Sequence, residues 1–171
     1  MIRNAVLKDV SRIAEILIFA KRSAYRNIFQ NDKVTFGEMQ VLPLALEYQN
    51  NPDLLKNIIV YDDEFVKGLV NIIERTNADG TTIIEIVEIY VDPFFQGSGI
   101  GLALLKEAER YGRNKKASGI SLWVLEKNAK TRIFYEKYGL ELSGEKKLEE
   151  GTTEYIVKYI KDFKLSDEQG S

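Results

Sequence analysis

The chain has 171 residues, of which 44% are hydrophobic and 29% are charged, and its formal net charge is −2. This length and balance predict one globular domain over residues 1–165, followed by a polar, frayed tail over residues 166–171. The small negative charge gives no general reason to expect nucleic acid binding. No apolar run approaches the roughly 18 residues of a membrane span, so we expect no membrane partner and a cytoplasmic location.

The sequence contains no cysteine and no histidine. Disulfides, thiolate metal sites and a cysteine nucleophile are therefore excluded, and the commonest general base and metal ligand are missing as well. We expect no bound metal, and any acid–base chemistry must use carboxylates, tyrosine, lysine or water.

The first half of the chain alternates between strand-like and helix-like patterns. A strand at Ile2–Val6 precedes a helix whose apolar residues recur at helical spacing, until the segment Ala24–Phe29 breaks that pattern. A second helix is expected at Thr35–Gln49, with an interruption near Pro43. Strands then follow at Asn57–Tyr61, Phe65–Glu74 and Thr82–Val91, the last two separated by the turn signal Asn77–Gly80.

The second half predicts a helix, a strand, a helix and a final hairpin. The helices are expected at Leu102–Asn114 and Ala129–Tyr138, and Gly139 is a typical residue to end the second one. The strand is expected at Ile120–Leu125, and the hairpin strands at Leu140–Leu148 and Thr153–Tyr159. The resulting order, β-α-α-β-β-β-α-β-α-β-β, predicts an α/β protein with a mixed sheet and helices on its faces.

A glycine-rich turn lies between the strand that ends at Val91 and the helix that follows. Its residues are Gln96, Gly97, Ser98, Gly99, Ile100 and Gly101. Glycines let the backbone curl tightly, and the first turn of the next helix offers unpaired N–H groups and the positive end of its dipole. The segment therefore predicts a binding site for phosphate oxygens.

This turn resembles the acetyl-CoA-binding motif of the GNAT family of N-acetyltransferases, Gln/Arg-x-x-Gly-x-Gly/Ala, at Gln96, Gly99 and Gly101. The resemblance implies the family fold, a mostly antiparallel sheet of about seven strands flanked by about four helices. It also implies that amides from about Gly97 to Leu102 hold the coenzyme A pyrophosphate. Ser98 stands where many family members have a basic residue, so the loop depends more on its amides. The same resemblance adds Ile89, Tyr90 and Val91 to the cofactor-binding residues.

A second motif begins at the end of the strand Ile120–Leu125 and resembles the family pattern at Asn128, Tyr135 and Gly139. The resemblance implies that Asn128 contacts the cofactor and that Tyr135 protonates the departing thiolate. From the residues alone, Asn128 also reads as a helix cap and Tyr135 as a core aromatic. Lys130 and Arg132 are candidates for coenzyme A phosphates, or else belong to a solvated helix face.

The strand Thr82–Val91 offers two carboxylates, Glu85 and Glu88. Family members often use a Glu on this strand as the general base, usually through water. Glu85 matches the family position by its distance from Gln96, and Glu88 lies closer to the thioester end. The two are an odd number of residues apart, so a regular strand points them to opposite faces unless a bulge intervenes.

The segment Ser23–Phe29 resembles the part of the family that lines the acceptor pocket, which makes Tyr25 and Phe29 candidates for substrate binding. The alternative is that both rings pack over the sheet. The acceptor is expected to be an amine of a small molecule or peptide, and its identity is left open. Exposed strands at the ends of the sheet are compatible with a homodimer.

The resemblance implies acetyl transfer from acetyl-CoA to a primary amine by direct attack in a ternary complex. One alternative is a non-catalytic acyl-CoA-binding domain of the same fold, which would share the phosphate loop. A dinucleotide-dependent oxidoreductase is a weaker alternative, because the loop reads Gly-x-Gly-x-Gly where that class has Gly-x-Gly-x-x-Gly.

Overall fold

The structure, a computed structural model, describes residues 1–163, and its main elements follow the predicted order. The predicted tail over residues 166–171 lies outside the described residues. Short helical segments connect some of the elements, with 3₁₀ turns at Leu7–Asp9, Pro52–Asn57 and Pro93–Phe95 and a π-helical turn at Lys33–Glu38. The main elements are β1 (Ile2–Asn4), α1 (Val10–Phe29), α2 (Val41–Asn50), β2 (Ile58–Asp63), β3 (Phe65–Thr76), β4 (Thr82–Val91), α3 (Ile100–Asn114), β5 (Gly119–Leu125), α4 (Ala129–Lys137), β6 (Glu141–Leu148) and β7 (Tyr155–Asp162).

The strands form one seven-stranded sheet in the order β1-β2-β3-β4-β5-β7-β6. The β4–β5 pair is parallel, with its register running from Ile84 opposite Ile120 to Ile86 opposite Leu122. The pairs β1–β2, β2–β3, β5–β7 and β6–β7 are antiparallel. The predicted mixed, mostly antiparallel sheet of about seven strands is therefore confirmed.

The chain contains two compact units. The first comprises residues 1–72 and 87–107, and the second comprises residues 73–86 and 108–163. Single-domain organisation over residues 1–165 stays a prediction. Within residues 1–163, no helix combines the length and the apolar character needed to cross a membrane.

The core of the first unit lies between α1 and strands β2 and β3. Buried residues of this core include Ile13, Ile16 and Leu17 from α1 and Ile58, Val60 and Leu69 from the strands. Their spacing along α1 places them on one helical face, as the sequence predicts.

Two helix boundaries in the first unit differ from the prediction. The segment Ala24–Phe29 does not interrupt α1, which ends when Gln30 adopts a left-handed conformation with φ 48°. The apolar spacing is lost in this segment because this part of the helix is more exposed. The backbone stays helical because the segment contains no Gly or Pro. The helix predicted at Thr35–Gln49 is divided at Met39 and Gln40, which are extended, into the π-helical turn Lys33–Glu38 and α2. The break thus lies before Pro43, which is the third residue of α2 and falls in the first turn, where the missing N–H has no intrahelical partner.

The second unit has its own core around β5 and β7. Its fully or almost fully buried residues include Ile84, Ile120, Leu122, Leu140 and Tyr159. The close approach of helix α3 depends on Gly112, since a Cβ at that position would lie 2.9 Å from Ile84 Cγ1. Substitution of this glycine would therefore push α3 away from the strand.

Candidate functional site

The turn between β4 and α3 has the backbone geometry of an anion site. Gly97 and Gly99 are left-handed, with φ of 80° and 86°, and a Cβ built at either one meets no atom within 4 Å. Ala103 N–H donates to Gly99 O at 3.0 Å, so α3 begins its helical hydrogen bonds there. Amides of the first turn precede that bond and have no acceptor within the helix. The turn thus combines amides without helical acceptors, the helix dipole and open space around Gly97 and Gly99.

The polar side chains of this loop brace the turn. Gln96 Nε2 donates to Val91 O at 3.3 Å, and Ser98 Oγ donates to Phe95 O at 2.5 Å. Ile100 is buried, whereas Leu102 is more exposed. Because the Ser98 hydroxyl donates within the loop, the backbone amides are the main groups of the loop that could bind an anion.

Asp92 anchors the start of the loop, a role that the sequence analysis missed. Its Oδ1 accepts from Phe94 N–H at 2.8 Å, and its Oδ2 accepts from Arg12 Nη2 at 2.5 Å. Arg12 Nε also donates to Val66 O at 2.9 Å, which links α1 to β3. The signal in the sequence was the Asp92–Pro93 pair at the strand end, a common start for a helical turn.

Four residues predicted from the sequence meet on α1 and β4 in the first unit: Tyr25, Phe29, Glu88 and Tyr90. Tyr25 and Tyr90 share a hydrogen bond of 2.7 Å between their hydroxyls. Phe29 packs edge-on against Tyr25, with ring centroids 5.9 Å apart. Glu88 Oε1 accepts a hydrogen bond of 2.9 Å from Lys21 Nζ. The predicted acceptor-pocket residues thus lie beside one of the two predicted carboxylates.

Lys21 and Tyr48 belong to the same cluster and were not predicted. Lys21 Nζ lies 5.7 Å from the centroid of the Tyr90 ring. Burial raises the pKa of Tyr48 to about 12, and the carboxylates of Glu88 and Glu47 add to this shift. Tyr48 therefore stays a neutral phenol at ordinary pH. No sequence pattern marks either residue, because both contacts join segments that are distant along the chain.

The other predicted carboxylate, Glu85, belongs to the second unit. Its Oε2 accepts a hydrogen bond of 3.1 Å from Arg75 Nε. The structure thus pairs Glu85 with Arg75 of the neighbouring strand β3 and pairs Glu88 with Lys21 of α1.

Asn128 and Tyr135, the residues of the second predicted motif, both have structural contacts in the second unit. Asn128 Oδ1 accepts from Thr131 N–H at 3.3 Å and caps α4. Tyr135 is 5% exposed, and its ring lies 5.5 Å from that of Phe134 and 6.3 Å from that of Tyr159. Capping leaves the amide nitrogen of Asn128 available for a further role.

The two predicted phosphate-binding cations differ in their surroundings. Arg132 donates to Tyr159 Oη and to Glu126 O, both at 3.0 Å, and Tyr159 Oη donates to Glu136 at 2.6 Å. This network fixes α4 against β7. Lys130 is exposed.

Of the remaining predicted residues, Ile89 and Val91 are half-buried on β4.

Comparison with known proteins gives a consistent result. The model of the Acetyltransferase (GNAT) family matches residues 22–140. An uncharacterised N-acetyltransferase of Methanocaldococcus jannaschii is 38% identical over 66 residues, which are 39% of this chain and 29% of that protein. The matched segment thus spans less than a third of the length of that relative.

Solved structures share the fold at low sequence identity. The PaiA N-acetyltransferase of Thermoplasma acidophilum, in complex with coenzyme A, superposes with a TM-score of 0.64 at 20% identity, over 92% of this chain and 96% of that one. The putative acetyltransferase YncA of Salmonella typhimurium, with acetyl-CoA, gives 0.67 at 18% identity, over 98% and 95%. The fold predicted from the two motifs is confirmed by these likenesses.

Proposed function

The chain belongs to the acetyltransferase (GNAT) family, and on this premise we propose that it is an acetyl-CoA-dependent N-acetyltransferase. The acceptor is a primary amine of a small molecule or peptide. The geometry of the turn Gln96–Leu102 supports this most directly, since its left-handed glycines and helix N-terminus fit a pyrophosphate. When bound, acetyl-CoA supplies an activated acetyl thioester.

The amides from Gly97 to Leu102 would hold the pyrophosphate. Ser98 Oγ is engaged with Phe95 O, and the loop has no cationic side chain of its own. Binding therefore depends on the amides and on the helix dipole. Asn128 is proposed to add an amide contact to the cofactor while it caps α4.

The amine must lose a proton before it attacks the thioester carbon. We assign this proton to Glu88 or Glu85, directly or through water. Glu88 is favoured because it lies two residues from Tyr90, whose hydroxyl is hydrogen-bonded to Tyr25, a residue predicted to line the acceptor pocket. Because the chain has no cysteine, the amine attacks directly and no acyl-cysteine forms. Positioning of both reactants is then the main contribution of the protein.

Tyr135 is proposed to act on the departing sulfur. A free phenol has a pKa near 10 and a thiol near 8.5, so full proton transfer to the thiolate is uphill by about 2 kcal/mol. A hydrogen bond from Tyr135 that strengthens as charge develops on sulfur avoids that cost. The burial of Tyr135 supports this role, because such a bond is stronger away from water.

Release of free thiol from acetyl-CoA, measured against a panel of amines, tests this proposal. The panel comprises polyamines, aminoglycosides, amino acids and peptides with a free N-terminus or lysine. We expect amine-dependent release that falls about 10²–10⁴-fold in Tyr135→Phe. The matched control is Tyr111→Phe, whose hydroxyl binds the exposed Glu74 and which should keep full activity.

A second candidate function is a non-catalytic acyl-CoA-binding domain. It shares the phosphate loop, and the braced turn at Gln96 and Ser98 is equally compatible with it. Tight binding of acetyl-CoA without thiol release from any amine would favour this alternative. Failure to bind acetyl-CoA at all would refute both functions, because both depend on the loop.

A further inference from the structure

Lys21 places an ammonium group inside the cluster that the proposed function assigns to the acceptor. Its Nζ donates to Glu88 Oε1 at 2.9 Å and lies 5.7 Å from the centroid of the Tyr90 ring. The exposed fractions of the two side chains are 30% for Lys21 and 19% for Glu88. A partly enclosed carboxylate and an aromatic face are the two features by which proteins recognise alkylammonium ions.

The surroundings hold this arrangement in place. Tyr90 is fixed by the 2.7 Å hydrogen bond to Tyr25, whose ring packs on Phe29. Tyr48 is buried near Glu88 and, as a phenol, is neutral at ordinary pH, so that it brings no second negative charge. Glu88 and Tyr90 thus form a compact cation site with aromatic walls.

We propose that Glu88 and Tyr90 form the ammonium site of the acceptor, and that Lys21 occupies it until an aliphatic primary ammonium takes its place. The site suits aliphatic primary ammonium ions because the lysine side chain that occupies it is itself one. This inference rests on the proposed function for its role in turnover, but binding of an ammonium ion can be measured without turnover.

Exchange of Lys21 for a ligand is physically easy. An incoming ammonium ion takes over the contacts with Glu88 and Tyr90, so no charge is left unpaired in the site, and the flexible stem of lysine can return its ammonium group to water. Lys21 lowers the apparent affinity for a ligand, because a ligand can bind only the fraction of sites that Lys21 leaves vacant. Lys21 therefore acts as a competitor built into the chain.

The test uses butylammonium chloride as the probe, titrated into the full chain and followed by NMR chemical shifts. We expect Lys21→Ala to bind it about five- to tenfold more tightly than the wild type, as removal of a competitor predicts. Lys21→Arg keeps a resident cation and should bind the probe as weakly as the wild type. Lys56→Ala, which removes an exposed lysine of the same unit, should also match the wild type.

Two further controls separate the site from general effects. The double variant Lys21→Ala/Glu88→Gln should lose the added affinity, and butanol should bind no variant measurably. Thermal unfolding of each variant verifies that it is folded. Equal affinity of butylammonium for wild type and Lys21→Ala, or undiminished binding to the double variant, would overturn the inference.

Turnover then connects the site to the acceptor. For an aliphatic primary amine substrate, Lys21→Ala should lower KM by about the same factor as the probe affinity, with little change in kcat. If the probe binds as expected but no variant turns over, the proposed function fails and the ammonium site stands. If the wild type turns over but the probe pattern is absent, only this inference fails.

Discussion

Arg12 Nη2 donates a 2.5 Å hydrogen bond to Asp92 Oδ2, and the same carboxylate accepts from Phe94 N–H through its other oxygen. The Asp92 side chain is 5% exposed, and that of Arg12 is 24% exposed. Because Arg12 also binds Val66 O, one ion pair joins α1, β3 and the start of the phosphate loop. Asp92, a buried carboxylate outside the Gln96–Gly101 motif, thus holds the start of the loop in place.

Replacement of Asp92 by Ala should weaken both the fold and the loop. Arg12 keeps its contacts with Glu15 and Val66 O, so the variant loses mainly the charged hydrogen bonds of Asp92 to Arg12 and Phe94 N–H. We therefore expect the free energy of unfolding to fall by about 1.5–3 kcal/mol. Acetyl-CoA affinity, measured by calorimetry below the unfolding temperature, should also decrease. Asp53→Ala removes an exposed carboxylate and should change neither quantity. Normal acetyl-CoA affinity in folded Asp92→Ala would show that the loop does not depend on this anchor.

Gly99 and Gly80 allow loop function to be separated from backbone strain. Both are left-handed, with φ of 86° and 82°, and a Cβ at either one meets no atom within 4 Å. Substitution by Ala should therefore cost each about 1 kcal/mol of stability, since both positions force the new residue into the same left-handed conformation. Only Gly99→Ala should weaken acetyl-CoA binding, because the turn Gly80 lies outside the phosphate loop. Equal acetyl-CoA affinities in the two variants would contradict the assignment of the loop.

The sequence was most informative where local pattern and local structure coincide. Strand β4 was predicted at Thr82–Val91 and is observed with those bounds. The loop after it was predicted from glycines whose left-handed conformations depend on residue type and near neighbours. Such features need no knowledge of distant contacts.

Long-range contacts could not be predicted in the same way. Lys21 meets Glu88 across 67 positions of the chain, and no local pattern marks a lysine in an amphipathic helix as part of a site. Arg132, a helix-face arginine beside a cofactor motif, likewise binds Tyr159 and Glu126 within its own unit, and no local pattern indicates these contacts. The partners of Lys21 and Arg132 both depend on tertiary contacts and not on the local sequence.

Asn128 offers a test that distinguishes a cap from a cofactor ligand. Asn128→Ala should lose the cap of α4 and destabilise the protein by about 1 kcal/mol. Asn128→Asp keeps an oxygen for Thr131 N–H, and its charge is favourable at a helix N-terminus, so stability should be retained. If the amide contacts the cofactor, both variants should weaken acetyl-CoA binding by about two- to tenfold, the usual worth of one hydrogen bond. Unchanged affinity in Asn128→Asp would leave Asn128 as a cap alone.

We expect Glu109 to contribute to the acid sensitivity of the second unit. Partial burial alone would raise the pKa of Glu109, but hydrogen bonds from Lys161, Tyr138 and Arg113 lower it to about 2 from an ordinary value of 4.5. A carboxylate whose pKa is lowered by folding stabilises the folded state at pH values above the pKa that it has in the unfolded chain. That contribution is lost as the pH falls from about 4.5 toward about 2.

The free energy of unfolding, measured by urea denaturation at a series of pH values, tests this account. The wild type should lose stability steadily below about pH 4.5, whereas Glu109→Gln should lose less over that interval because its amide does not titrate. At neutral pH, Glu109→Gln should be less stable by about 1–3 kcal/mol, since it loses hydrogen bonds between charged groups. Glu150→Gln, at an exposed turn of the same unit, serves as the control and should follow the wild type. A Glu109→Gln profile parallel to that of the wild type would show that acid sensitivity arises from other carboxylates.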